Sequence, residues 1–139
     1  MSADIFIDTN ILVYAHDAQS GPRHQRAAAL LKNFWAQGER PAISVQVLQE
    51  LYVNLVRKGL ALDRARAVVE PYFAWRVMDH TKALVREAFA LQARWKTSYW
   101  DAAILAAAHR AEATLLWSED FSAGQNYGAL TIVNPLADS

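Results

Sequence analysis

The chain has 139 residues, of which 53% are hydrophobic, and it contains no cysteine. These values predict one domain, residues 1–139, that buries its own core, and they exclude a disulfide scaffold, a thiolate zinc site and a cysteine nucleophile. Fourteen basic residues balance fourteen acidic ones. The net charge therefore gives no support for a polyanionic partner, and a nucleic-acid function must rest on local charge placement.

The longest uninterrupted apolar run, residues 102–108, is far shorter than the roughly 20 residues that a membrane-spanning helix needs. No basic segment followed by an apolar segment opens the chain, so the sequence predicts no secretory signal. We therefore expect a cytoplasmic protein without a membrane anchor.

The first part of the chain predicts a strand, two helices and a second strand. Residues 5–7 (Ile-Phe-Ile) are a short β-prone run, which ends at Asp8-Thr9-Asn10, and residues 11–15 have helical character. After a loop, apolar residues at helical spacing predict a helix that ends at Gly38. Residues 41–44 predict the second strand.

The middle of the chain predicts a buried helix and then a less regular segment. The helix has an apolar face and a stop at Gly59; the face consists of Val47, Leu48, Leu51 and Leu55. Asp63 is expected to cap the next helix, which Pro71 should kink or end. Residues 76–78 predict a third strand.

The last part of the chain predicts two helices and two strands. One helix covers residues 82–95, and Ser98 is expected to cap another that continues to Glu112. Residues 114–117 and 130–133 are β-prone runs separated by a glycine-containing loop. Short strands that alternate with helices and lack polar alternation predict an α/β fold: three α/β/α layers with a central parallel sheet of about five short strands.

Four acidic residues follow predicted strands or lie in the helices after them. Asp8 follows the first strand, Glu50 lies in the helix after the second, Asp101 is in the first turn after Ser98, and Asp120 follows the fourth strand. Each has an ordinary alternative role as a helix cap, a turn residue or a solvated helix residue. Active sites of parallel sheets form beyond the carboxyl ends of the strands, so the joint placement favours one shared site.

Converging carboxylates require a cation, because two like charges 4 Å apart repel by about 4 kcal/mol at an effective dielectric constant near 20. Oxygen ligands without histidine or cysteine favour Mg²⁺ or Mn²⁺ over zinc. Such an ion activates water and stabilises the charge that develops on a phosphodiester. Polar neighbours could orient ligands or substrate, or simply act as caps and turn residues: Thr9, Asn10, Ser98 and Ser118.

Two further kinds of side chain could contact a nucleic acid. Tyr99 and Trp100 adjoin Asp101 and are candidates for base stacking. Scattered basic residues could follow a phosphate backbone, although such charges on helix surfaces are usually only solvated: Arg23, Arg26, Arg57, Lys58, Arg94 and Lys96.

The sequence also contains five segments in a characteristic order: residues 6–12 (Phe-Ile-Asp-Thr-Asn-Ile-Leu), 47–51 (Val-Leu-Gln-Glu-Leu), 98–104 (Ser-Tyr-Trp-Asp-Ala-Ala-Ile), 117–121 (Trp-Ser-Glu-Asp-Phe) and 132–135 (Ile-Val-Asn-Pro). Together they resemble the PIN domain family, and within it the VapC-type toxins of bacterial and archaeal toxin–antitoxin pairs. The resemblance runs nearly from end to end of the chain.

The resemblance implies a Mg²⁺- or Mn²⁺-dependent endoribonuclease, usually homodimeric and often inhibited by a small antitoxin protein that blocks the acidic site. By position, Asp8 and Asp101 correspond to the chief metal ligands, and Glu50 and Asp120 complete the acidic quartet. Asp120 is preferred over Glu119 because it matches the Ser/Thr-x-Asp pattern of the family.

Three alternatives remain open. The first is a PIN-fold nuclease with a housekeeping role in RNA processing. The second is a receiver-like domain for Mg²⁺-dependent phosphoryl transfer, which is disfavoured because no Asp-x-Asp follows the first strand and no lysine ends the last one. The third is a non-catalytic interaction module, which the four intact acids disfavour.

Overall fold

The computed structural model describes residues 4–137, which contain one mostly parallel sheet. Its strands are β1 (Ile5–Ile7), β2 (Ala42–Ser44), β3 (Arg76–Met78), β4 (Leu115–Trp117), β5 (Asn126–Tyr127) and β6 (Leu130–Val133). They lie in the order β3-β2-β1-β4-β6-β5. Every neighbouring pair is parallel except β5 and β6.

Helices connect β1 to β2, β2 to β3 and β3 to β4 and flank the sheet, whereas a loop and β5 connect β4 to β6. The helices are α1 (Thr9–Ala15), α2 (Pro22–Ala36), α3 (Val45–Arg57), α4 (Leu62–Val69), α5 (Lys82–Trp95) and α6 (Tyr99–Arg110), with short 3-10 turns at Ala18–Ser20 and Glu70–Ala74. Four of the helices begin where a polar side chain accepts a hydrogen bond from a backbone N–H of the first turn, which satisfies a donor that has no partner within the helix: Asp8, Ser44, Thr81 and Ser98.

Helix α6 is buried along most of its length because it packs against both α5 and β2. Its sequence is rich in alanine, and the residues that face its neighbours, 102–108, are all buried. Small side chains allow the helix to approach the sheet closely, and this packing fixes the position of its first turn, which carries Asp101.

The strand order changes direction at β1, whose neighbours are β2 on one side and β4 on the other. The connection after β1 runs to β2 and the connection after β4 runs to the other side of the sheet, toward β6, so a crevice opens at the carboxyl ends of β1 and β4. Asp8 follows β1 directly, and its backbone N–H donates to the carbonyl of Trp117 at the end of β4 (3.0 Å). The two strand ends that carry Asp8 and Asp120 are thereby held side by side.

The predicted fold class is confirmed, with two local corrections. Five parallel strands were expected, but β5 adds a sixth, antiparallel strand through a tight turn at Gly128, which has φ of +69°. Asp63 was expected to cap α4, but the cap position belongs to Ala61 and Asp63 lies in the first turn. Pro71 does follow the end of α4, as predicted.

Among residues 4–137, no helix is both long and apolar enough to cross a membrane.

Candidate active site

The acidic residues line one open cleft of about 400 Å³ at the carboxyl ends of β1 and β4. The loop after β1, one face of α3, the first turns of α6 and the segment after β4 form its walls. Its lining residues are Asp8, Thr9, Asn10, Gln46, Gln49, Glu50, Val53, Asn54, Arg57, Trp100, Asp101, Ile104 and Asp120. All four acids predicted from the sequence are among them, although they come from four separate parts of the chain.

Asp8 lies at the floor of the cleft with 5% of its surface exposed. One carboxylate oxygen accepts a hydrogen bond from the backbone N–H of Thr9 (2.8 Å), and the other accepts from the hydroxyl of Ser118 (2.8 Å). The side chain therefore caps α1, as the ordinary interpretation of its sequence position predicted, and also lines the cleft.

The pKa of the Asp8 carboxyl is raised to about 7. Burial is the largest cause, the hydrogen bonds from Ser118 and Thr9 oppose it, and the nearby charges of Asp120 and Glu50 add to it. The pKa of Asp101 is also raised, first by burial and then by Asp120 and Glu50. The carboxylates thus destabilise one another's charged forms. A cation bound among them would relieve that repulsion.

Glu50 extends from α3 toward α1. One oxygen accepts a hydrogen bond from the hydroxyl of Thr9 (2.5 Å), and the other accepts from the side-chain amide of Gln46 (3.3 Å). Gln46 also donates to the backbone carbonyl of Trp100 (3.3 Å). These bonds fix Glu50 and join α3 to the first turn of α6.

Asp101 and Asp120 are each supported by a residue predicted to lie beside them. Ser98 accepts a hydrogen bond from the backbone N–H of Asp101 (3.1 Å) and so sets the start of α6. Asn10 donates to the Asp120 carboxylate (2.8 Å). Ser118, which donates to Asp8, accepts from the backbone N–H of Asp120 (3.0 Å) and thereby connects two of the acids.

Glu119, the acid next to Asp120, does not line the cleft. It accepts hydrogen bonds from the Tyr14 hydroxyl (2.8 Å) and from Arg23, with which it forms an ion pair (2.8 Å). Its carboxylate is therefore engaged elsewhere, whereas that of Asp120 is directed to the cleft.

The donor set fits a hard divalent cation, but the acids do not form a preassembled cage. Within residues 4–137, no three acidic, histidine or cysteine side chains lie close enough together to form a recognisable metal cluster. A hard ion such as Mg²⁺ does not require such a cluster, because it usually keeps several water ligands and takes only one or two carboxylates from the protein.

Several lining residues were not assigned to the site from the sequence, and two of them bear on its chemistry. Gln46 lies one turn before Glu50, so helical spacing alone would have placed both on one face of α3. Arg57 had been interpreted as one of several scattered surface charges. Among the residues that line this cleft, it is the one basic side chain, and it lies two turns beyond Glu50 on the same face.

Comparisons with known proteins agree with this architecture. The family model of the PIN domain matches residues 5–124. Among solved structures, Mycobacterium tuberculosis VapC20, a toxin that cleaves the sarcin-ricin loop, superposes with a TM-score of 0.67 at 24% sequence identity, over 84% of this chain and 89% of that one. No curated protein gives a significant sequence match.

Replacement of Asp8 by asparagine should stabilise the metal-free protein at pH 8. The folded carboxyl has a pKa of about 7, whereas the usual value for an aspartic acid is 3.8. Between these values the folded state holds more protons than the unfolded state, so this group's contribution to stability falls as the pH rises from about 4 to about 7. The asparagine amide can still accept from Thr9 and donate to the Ser118 oxygen. We expect the melting temperature of Asp8→Asn to exceed that of the wild type by several degrees at pH 8 in EDTA. At pH 5 the difference in melting temperature should be smaller. An equal difference at both pH values would contradict the assigned burial effect.

Divalent cations should raise the melting temperature of the wild-type protein. Because a ligand that binds only the folded state stabilises it, millimolar Mg²⁺ or Mn²⁺ at pH 8 should increase the melting temperature by several degrees. Asp8→Asn and Asp101→Asn should respond weakly or not at all, whereas Glu119→Gln should respond as the wild type does. Equal responses from all four proteins would place the cation effect outside this cleft.

Proposed function

The chain belongs to the PIN domain family, and on that basis we propose that it is an endoribonuclease that acts with a divalent metal ion. The observation that carries the proposal is the gathering of Asp8, Glu50, Asp101 and Asp120 along one open cleft. The family supplies the reaction class, and the cleft supplies acidic side chains suited to it.

We propose Mg²⁺ as the physiological ion, with Mn²⁺ as an effective substitute. Asp8 and Asp101 would hold it, and Glu50 and Asp120 would contribute directly or through water. When bound, the ion supplies an activated water and stabilises the charge that develops on the phosphodiester. Carboxylates without nitrogen or sulfur donors support an ion of this hard, oxygen-preferring class.

The surrounding polar residues would hold the acids in place during the reaction. Thr9 uses its backbone N–H for Asp8 and its hydroxyl for Glu50, so a single residue orients two of the acids. Ser118 does the same for Asp8 and the backbone of Asp120. Such hydrogen-bonded support keeps ligands oriented and is costly to lose at metal sites.

Arg57 would bind a phosphate of the substrate at one end of the cleft. It lies seven residues after Glu50 in α3, which corresponds to about 10 Å along the helix axis. An RNA chain that crosses the acids could therefore reach Arg57 with a phosphate beside the one that is cut. The guanidinium group suits this contact because it forms paired hydrogen bonds with phosphate oxygens.

We further propose that the protein is the toxin of a VapBC-type pair, with a small antitoxin as its partner, a homodimeric state and a cytoplasmic location. The likeness to VapC20 supports the toxin class through the shared fold. An apolar groove of about 330 Å³ between α3 and α4 supports a protein partner, because it includes the exposed ring of Phe73 and shares Gln49 with the acidic cleft. A partner bound there would lie beside the cleft.

The purified protein should cut RNA in the presence of Mg²⁺ or Mn²⁺ and lose that activity in EDTA. Asp8→Asn and Asp101→Asn should reduce cleavage at least a hundredfold, because each removes a charged ligand, while their circular dichroism spectra stay unchanged. The measurement is the initial rate on total RNA, followed by mapping of the cut ends. Glu119→Gln provides the matched control and should keep wild-type activity. Full activity in either aspartate variant would contradict the proposed roles.

Replacement of Arg57 by alanine should weaken RNA binding several-fold and reduce its dependence on salt. Removal of one phosphate contact should lower the slope of log affinity against log salt by about 0.7 for single-stranded RNA. Lys58→Ala is the matched control, since Lys58 is the neighbouring cation but forms an ion pair with Asp17 (3.0 Å) outside this cleft. The same weakening in both variants would indicate a general charge effect, and the proposed role of Arg57 would be refuted.

A further inference from the structure

Trp100 is the large aromatic side chain in the lining of the acidic cleft. It occupies the second position of α6, immediately before Asp101, and 59% of its surface is exposed. Its neighbours in α6 from Ala102 onward are buried, so the indole projects at the cleft rim and not into the core. An exposed aromatic ring beside the reacting groups requires an explanation that core packing does not provide.

The position of Trp100 is fixed from two sides. Its backbone carbonyl accepts a hydrogen bond from Gln46, which is buried and also bonds Glu50. Its ring packs edge to face on Tyr99, with centroids 5.0 Å apart and an interplanar angle of 76°. Tyr99 in turn contacts Phe89 of α5 (5.9 Å). The indole is thus held at a defined place beside the acids while most of its surface remains available to a ligand.

The rest of the cleft indicates what that ligand is. The carboxylates would act on a phosphodiester, and Arg57 on α3 offers a cation to a neighbouring phosphate. The group that the cleft does not otherwise provide for is the base attached to that backbone. An indole ring suits any base, because every base has a π-face, and it can reach a base only where that base is unpaired.

We propose that Trp100 stacks on an unpaired base next to the cleaved phosphodiester. This inference rests on the proposed function and adds to it a residue that positions the substrate. Trp100 positions the backbone over the acids through the stacked base. Its contribution does not depend on the identity of the base, so it selects for exposed bases and not for a sequence.

The test measures RNA binding in an Asp8→Asn background, which is expected to bind without cutting, in Mg²⁺. The probes are a fluorescein-labelled 12-nucleotide single-stranded RNA of mixed sequence and the same strand annealed to its complement. Trp100→Ala should weaken binding of the single strand about tenfold or more, as the removal of one stacking interaction predicts. It should leave duplex binding unchanged. Trp100→Phe should recover most of the single-strand affinity, because phenylalanine also stacks.

Phe89→Ala is the matched control, because Phe89 is 58% exposed and lies outside the cleft. Phe89 contacts Tyr99, but the Tyr99 ring and the hydrogen bond from Gln46 still hold Trp100 in this variant. It should bind both probes as the parent protein does. Light scattering of each variant gives the oligomeric mass in parallel. If Trp100→Ala and Phe89→Ala lose affinity equally and both change the mass, the rings form an interface between copies of the chain and the proposal is overturned.

Two other results would also overturn it: unchanged single-strand binding by Trp100→Ala, or equal losses of affinity for the single strand and the duplex. Failure of the proposed function is detected separately. Protein with Asp8 intact, incubated with the same single strand in Mg²⁺, would then leave it uncut, whatever the binding measurements give.

Discussion

Mutual repulsion among carboxylates is the constraint on which the arrangement of this site depends. Asp8 and Asp101 both have raised pKa values, and in both the charges of Asp120 and Glu50 add to the effect of burial. A fold gains nothing in stability from placing such charges together. Under the proposed function, the same arrangement suits a divalent cation and, with it, a phosphodiester substrate. Functional sites are where such destabilising clusters are expected.

The scaffold meets this constraint through rigid backbone positions and shared hydrogen bonds. The parallel pairing of β1 with β4 places Asp8 beside the segment that carries Asp120. Thr9, Ser118 and Gln46 each form hydrogen bonds with two groups of the site. Three polar residues therefore help to orient the acids and the first turn of α6. The acids are therefore oriented before any ligand binds, and the cleft between them remains open to solvent and substrate.

Much of this could be predicted from the sequence, because the signals involved are local. Strand ends, caps and helical periodicity located Asp8, Asp101 and Asp120, and the rule for parallel sheets placed them at one edge. The short strand β5 could not be predicted, since two residues at Asn126–Tyr127 carry no periodicity and pair only because β6 lies beside them. The bridge from Gln46 to Trp100 joins residues 54 positions apart and depends on helix packing. Only the resemblance to the family favoured Asp120 over Glu119 at the sequence level. In the structure, Asp120 lines the cleft and Glu119 does not, which agrees with that choice. The catalytic role of Asp120 stays a prediction.

Anomalous X-ray scattering from crystals of the protein grown with Mn²⁺ would test the metal site at the level of individual ligands. We expect a manganese peak in the cleft, coordinated by the carboxylates of Asp8 and Asp101, with Glu50 and Asp120 within direct or water-mediated reach. The peak should vanish in Asp101→Asn crystals grown in the same way. A cleft without manganese, or manganese bound at another surface, in protein that still cuts RNA would contradict the proposed metal-dependent mechanism.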